Sequence, residues 1–186
     1  MTAADPGSDG VTVRAAEPGD AAALETLVRA LADYERSTDE VQLHEGQLRN
    51  ALFGAAPQVF AHVAEHHGRL VGAALWFVSY STWTGHHGIY LEDLFVLPAA
   101  RGLGAGRALL TELARLAVAR RYTRVEWAVL DWNEPAIGFY RHLGAQALDG
   151  WTVYRLAGED LRRLGAPPKE PKHVSPTSVG ESSSQK

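Results

Sequence analysis

The sequence predicts one α/β domain with a mixed sheet of about six or seven strands flanked by about four helices. Three observations carry that reading. Apolar segments of period 2 and period 3.6 follow one another in the order β-α-α-β-β-β-α-β-α-β-β. The stretch 90–107 reads as strand, glycine turn and helix start without a gap. The 186 residues are 46% apolar and 22% charged, which suits a soluble domain with a core of its own.

Each element has its own warrant. Residues 1–10 are small and polar and are expected to be disordered. Val11, Thr12, Val13 and Arg14 make a short strand, ended by Pro18-Gly19-Asp20. Asp20 can cap a helix over about 21–34, whose apolar stripe is Leu24, Leu27, Val28 and Leu31. A second helix is expected over about 44–53, stopped at Gly54. Strands 59–65 and 69–80 form a hairpin turning at His67-Gly68. A loop over 81–88 holds Trp83 and two histidines. Strand 89–97 leads into the glycine turn, and Leu109, Leu110, Leu113, Leu116 and Ala117 mark the following helix to about Arg121. A strand over 124–130 comes next. Asn133 then caps a helix with Pro135 in its first turn and Gly144 at its C′ position. A hairpin over about 145–156 and a helical turn over 159–164 complete the domain, 11–164. Residues 165–186 are Pro, Lys and Ser with little to bury, a disordered tail.

Composition excludes several functions. A net charge of −4 gives no field to recruit nucleic acid or an anionic membrane. Without cysteine there is no disulfide, no thiolate metal ligand and no cysteine nucleophile. The start, MTAADPGSDG, lacks the basic and apolar regions of a signal peptide, and no apolar run approaches the ~18 residues of a membrane span. A cytoplasmic protein is expected. His62, His66, His67, His86 and His87 fall on a strand, a turn and a loop without ligand spacing, so they read as solvated and no metal is expected. The five tryptophans read as mostly core.

The glycine turn holds the first functional signal. A helix N-terminus presents unpaired N–H groups and a positive dipole end, which together hold phosphate. Gly102, Gly104 and Gly106 let the backbone approach an anion, and the Arg101 guanidinium suits phosphate oxygens. No Lys-Ser or Lys-Thr follows, so this is not a Walker loop. Arg107 takes the place of a third glycine, which argues against a dinucleotide fingerprint. A tight turn that binds nothing stays open on these residues alone.

Glu92 and Asp93 are adjacent carboxylates on a strand whose two faces both look buried, with one on each face. Such a pair is either a buried salt bridge or a site for amine chemistry. Tyr140 lies seven residues after Asn133, close to two turns, so the two share a helix face. A phenol there is either packing or a general acid.

Arg101-x-x-Gly104-x-Gly106 resembles the acetyl-coenzyme A signature of the GCN5-related N-acetyltransferases (GNAT), and the resemblance runs through residues 11–160. It is closest to the spermidine/spermine and diamine branch, which includes thialysine acetyltransferases. Tyr34-Glu35, Tyr90-Leu91-Glu92-Asp93 with Arg101-Gly102, and Trp132-Asn133-Glu134-Pro135 with Phe139-Tyr140 carry that closer match. The resemblance implies the GNAT fold, a homodimer, and acetyl transfer from acetyl-coenzyme A straight to a primary amine of a small diamine, polyamine or lysine-like amino acid. A non-catalytic acyl-coenzyme A sensor on the same fold is the alternative, and retention of both Glu92 and Tyr140 argues against it.

By the same resemblance, Glu92 takes the amine proton and Tyr140 protonates the departing thiolate. Leu94, Phe95, Val96, Arg101, Gly102, Leu103, Gly104, Ala105, Gly106, Arg107, Asn133, Pro135, Ala136 and Tyr140 hold acetyl-coenzyme A. Tyr34, Glu35, Trp83, Glu92, Asp93 and Asp149 hold the amine. Polyamine enzymes of this branch also have an acid before the loop tryptophan and a glutamate pair before the last Gly-Trp. This chain reads Ser81-Thr82-Trp83 and Leu148-Asp149-Gly150-Trp151 at those places, so a shorter substrate is expected.

Overall fold

The computed structural model describes residues 10–44 and 46–167. The tail expected from 165 onward and the expected disorder over 1–10 therefore fall almost wholly outside the described residues. The chain divides into two compact units, 1–136 and 137–186.

The first unit holds a five-stranded sheet in the order β1-β2-β3-β4-β5. Its strands are β1 (Val11–Ala15), β2 (Phe60–His66), β3 (Arg69–Ser81), β4 (His86–Val96) and β5 (Val125–Glu126). The first four are antiparallel neighbours, and β5 runs parallel to β4. His67 and Gly68 both take positive φ, the geometry a two-residue hairpin turn requires, and they join β2 to β3 as the sequence indicates.

Two helical layers cover the sheet. Helices α1 (Ala21–Tyr34) and α2 (Gln47–Phe53) lay Leu24, Leu27, Leu48 and Leu52 on Ala61, Val63, Ala73, Leu75 and Phe95. The alternate residues Ala64, Ala74, Trp76, Ile89 and Leu91 are buried on the other face. There α3 (Ala105–Ala119) buries Leu109 and Leu113, and Arg120 just beyond it stands 5.6 Å over the Trp76 ring. Arg14 of β1 ties the layers at one end with a bidentate grip on Asp20 at 2.6 and 2.9 Å and a bond to Glu65 at 2.6 Å. That grip holds the Asp20 carboxyl below its ordinary range.

One irregularity sets up the site. Leu75 pairs with Asp93 and Trp76 with Leu91, so Glu92 is the extra residue of a β-bulge in β4. The bulge resets the alternation. Ile89 and Leu91 share the α3 face with Trp76, whereas Asp93 and Phe95 lie on the α1 face with Leu75 and Ala73. Close approach of the strands here needs Gly72, where a Cβ would sit 2.8 Å from the Phe95 carbonyl oxygen.

Several expectations change. The strand expected over 124–130 shrinks to two residues, since β5 pairs with β4 only at Ile89–Val125 and Tyr90–Glu126. Two residues on, the bulge re-aims β4 and that ladder ends. The loop over 81–88 tightens to the turn 82–85. Glu92 is exposed rather than buried, because the bulged residue leaves the pleat. His62 is not solvated: it is 8% exposed, and its Nδ1 accepts a 3.1 Å bond from the Trp76 indole. Burial holds its imidazole below the ordinary range. The tryptophans are not mostly core, for Trp76 is 2% exposed but Trp83, Trp132 and Trp151 are 87%, 50% and 71% exposed.

Helix α4 (Glu134–His142) begins in the last residues of the first unit and ends in the second, where Gly144 follows at φ 89°, as a C′ glycine should. A last helix, α5, covers Gly158–Leu164. The hairpin expected over 145–156 is not formed: no described strand offers those residues a ladder, and the sheet has five strands rather than six or seven.

Candidate active site

The site grows from the place where β4 loses its partner. Beyond Tyr90 no described strand pairs with the edge of β4 that faces away from β3. Backbone N–H groups in 91–96 that point to this edge, near Leu94 and Val96, are open to a ligand. Phe95 turns inward and is buried.

The chain leaves β4 through Pro98 and enters the glycine turn. Gly102 and Gly104 have φ of 84° and 80°, left-handed values that L side chains rarely adopt. A Cβ on Gly102 would touch nothing, so backbone conformation alone demands glycine there. Gly104 caps the 15-residue α3, and no side chain caps its first N–H groups, which leaves them for an anion. Ala105 is buried beneath the turn while Arg101 and Arg107 are exposed on it, with Leu103 and Gly106 half-buried between. This cradle fits a diphosphate, the anionic part of a coenzyme A.

On the α1 side three carboxylates gather. Asp93 is pushed up to about 6, first by burial and then by the charges of Glu92 and Glu35. Burial also raises Glu35. Uncompensated carboxylates set close together raise one another's proton affinity and attract a cation. The Glu92–Asp93 pair is therefore no buried salt bridge: no ion pair of either appears among the described residues.

Tyr34 stands between the two regions. Its ring lies 6.4 Å from Phe95 and 6.0 Å from Trp132, and the Arg101 guanidinium sits 4.5 Å over it. Its hydroxyl donates to Asn133 Oδ1 at 3.2 Å. Asn133 is 7% exposed and also accepts the Ala136 N–H at 3.4 Å, the expected helix cap. Pro135 is exposed in the first turn of α4.

The remaining candidates lie elsewhere. Trp83 stands at the tip of the β3–β4 turn, ten residues before Asp93, with roughly 20 Å of strand between. Tyr140 is half-buried on α4 in the second unit, its ring 5.4 Å from Phe139. Asp149 is exposed in a turn of that unit. Sequence reasoning missed the contacts of Trp132 and Arg36, which stand 6.0 Å apart at the end of α1. Arg36 holds the left-handed φ of 60° that turns the chain there, and a non-glycine in that conformation leaves no sequence signal. Among the described residues, no three His, Cys, Asp or Glu side chains are grouped to hold a metal ion.

Comparison with known proteins agrees with this geometry. The profile described as the acetyltransferase (GNAT) family matches residues 23–145. A thialysine N-epsilon-acetyltransferase of Bos taurus is 38% identical over 165 residues, which cover 83% of this chain and 96% of that protein. The human spermidine/spermine N(1)-acetyltransferase-like protein 1 is 33% identical over 80% of this chain, a match that spans 23% of that longer protein. Among solved structures, an integron cassette protein from the mobile metagenome of V. cholerae superposes with a TM-score of 0.71 at 26% identity, over 83% of this chain and 97% of that one.

Proposed function

The chain belongs to the acetyltransferase (GNAT) family, and on that premise we propose that it acetylates the terminal primary amine of a diamine or a lysine-like amino acid. It is an acetyl-coenzyme A-dependent N-acetyltransferase, and transfer goes directly to the amine. The observation that carries the choice of amine is the gathering of Glu35, Glu92 and Asp93 beside the open edge of β4. Its relatives include thialysine acetyltransferases, which supports an amine with a second charged group a short chain away.

Acetyl-coenzyme A supplies an activated acetyl thioester. The chain's residues do the rest. Main-chain N–H groups of the glycine turn, with Arg101 and Arg107, hold the diphosphate. The open N–H groups near Leu94 polarise the acyl carbonyl. Asp93 and Glu35 draw in the ammonium group, and Tyr34 belongs to the same end of α1. An alkylammonium of pKa ~10.4 must lose its proton before it can attack. Glu92 takes that proton and, exposed at the bulge, passes it on to water. The C–N bond forms as the C–S bond breaks, and Tyr140 gives its proton to the sulfur. Trp83, with roughly 20 Å of strand between it and Asp93, is too far away to line the site of a short amine.

A homodimer and a cytoplasmic location are part of the proposal. Val153 and Tyr154 are 86% and 91% exposed, apolar surface that a second copy would cover. The cysteine-free composition suits a reducing compartment. No described helix is long and apolar enough to cross a membrane.

The test is coenzyme A release with putrescine, thialysine, lysine, spermidine and spermine. A long polyamine needs several separated carboxylates, and here the distal ones are thinned to Asp149. Putrescine or thialysine should exceed spermine at least about tenfold in kcat/KM, the worth of one lost charge contact of ~1.4 kcal/mol. A preference for spermine would sink the short-substrate reading, and no release with any amine would sink the activity itself.

A further inference from the structure

We propose that Tyr34 is a positioning residue for the cofactor half of the site, holding Asn133 and seating Arg101, rather than a contact to the amine. The inference rests on the acetyl-coenzyme A reading above and assigns a role within it.

The hydrogen bonds fix a direction. Asn133 Oδ1 accepts from the Tyr34 hydroxyl at 3.2 Å and from the Ala136 N–H at 3.4 Å. An amide oxygen has two lone pairs, so both are used. What Asn133 has left for a ligand is the Nδ2 amino group, which donates and cannot accept. The partner it fits is a carbonyl oxygen, such as an amide carbonyl on the pantetheine arm of coenzyme A. Without the phenol, one of the two constraints on the amide is gone, and it can turn its oxygen toward the ligand instead.

The ring does a second job. Its face carries the Arg101 guanidinium at 4.5 Å, and Phe95 and Trp132 flank it. Arg101 also reaches the Val96 carbonyl at 3.4 Å. An exposed arginine is thereby kept at the mouth of the glycine turn instead of sweeping through solvent. The hydroxyl and one ring face of Tyr34 are thus committed to groups on the cofactor side. Its neighbour Glu35 acts on Asp93 instead, on the amine side. Two consecutive residues at the end of α1 so serve the two half-sites.

Tyr34→Phe removes the hydroxyl and keeps the ring. It should weaken acetyl-coenzyme A binding by calorimetry about three- to tenfold, the effect of one neutral hydrogen bond. The KM for the amine and the turnover at saturation should stay within twofold. Asn133→Ala should weaken cofactor binding at least as much, and the double variant no further than Asn133→Ala alone. Tyr34→Leu, which also removes the Arg101 platform, should weaken it more than Tyr34→Phe. Unchanged cofactor binding in Tyr34→Phe, fully additive effects, or a raised amine KM with cofactor binding intact would each overturn the assignment. Wild-type protein that binds no acetyl-coenzyme A would instead overturn the parent reading, and the assignment with it.

Discussion

Replacing Asp93 by Asn should stabilise the fold at neutral pH while it impairs catalysis. The wild-type carboxyl is raised from 3.8 to about 6 by burial and by the charges of Glu92 and Glu35. That gap of roughly 2 units corresponds to at most about 3 kcal/mol of unfavourable ionisation. Asp93 is only half-buried, so solvent screening cuts the observable to about 1–2 kcal/mol. The sign follows from proton binding. Between 3.8 and about 6 the folded chain holds the proton that the unfolded chain has lost, so stability falls as pH rises through that window. Above it the full penalty is present. Asn occupies the same volume without the charge. At pH 7 the melting temperature of Asp93→Asn should therefore rise by about 2–8 °C, and near pH 4 the gain should vanish. His62 titrates in the opposite sense, with stability lost as pH drops below about 6.5. It is common to both proteins and cancels in the difference. Thermal melts of both proteins from pH 4 to pH 8 give the measurement. A gain of equal size at pH 4 and pH 7, or a loss at pH 7, would refute the claim that a half-buried carboxylate is held here against its own solvation. The same titration shapes activity. In wild type, kcat/KM for the amine should fall as pH drops through about 6, where the anchor neutralises, and Asp93→Asn should lack that limb.

Glu92→Gln should lower turnover by about 10²–10⁴-fold with the fold intact. The defect should shrink as pH rises and free amine accumulates, and a pH–rate profile identical to wild type would remove Glu92 from the proton path. Arg101→Ala should raise the KM for acetyl-coenzyme A by about tenfold and leave that for the amine nearly unchanged, because it removes a charge-assisted phosphate contact. Calorimetry showing wild-type cofactor affinity would take the diphosphate away from this turn. Tyr140→Phe should slow turnover by about 10²–10⁴-fold at unaltered cofactor affinity. Normal specific activity in a destabilised variant would make Tyr140 a packing residue.

The helices, the two hairpin strands and the glycine turn were legible because each is written in local chemistry. Leu24, Leu27, Val28 and Leu31 repeat at the helical period, His67-Gly68 can take positive φ at both positions, and Gly102 and Gly104 stand where the chain must turn left-handed. What failed was decided at a distance. The strand over 124–130 has adequate β-formers, yet its length is set by how far β4 stays beside it. Segment 145–156 alternates apolar and polar residues but finds no ladder among the described strands. His62 reads as a polar residue on a strand, and only the Trp76 indole from the next strand makes it part of the interior.

The bulge at Glu92 joins these two kinds of information. In the sequence, Ile89, Leu91, Asp93 and Phe95 sit at even spacing, and a regular strand would put all four on one face. That face would place Asp93 with Leu91 on the α3 side. One extra residue in β4 moves Asp93 and Phe95 across to the α1 side instead. Phe95 then joins the α1 core cluster and reaches the Tyr34 ring. Asp93 comes within range of Glu35, and Glu92 is left in solvent at the bulge. The pairing with β5 also ends there, which frees main-chain donors next to the carboxylates. A single inserted residue thus assembles the carboxylate cluster and opens the strand edge together. Deleting Glu92 would remove the base and the bulge together, while the regular alternation left behind would keep Asp93 on the α1 side.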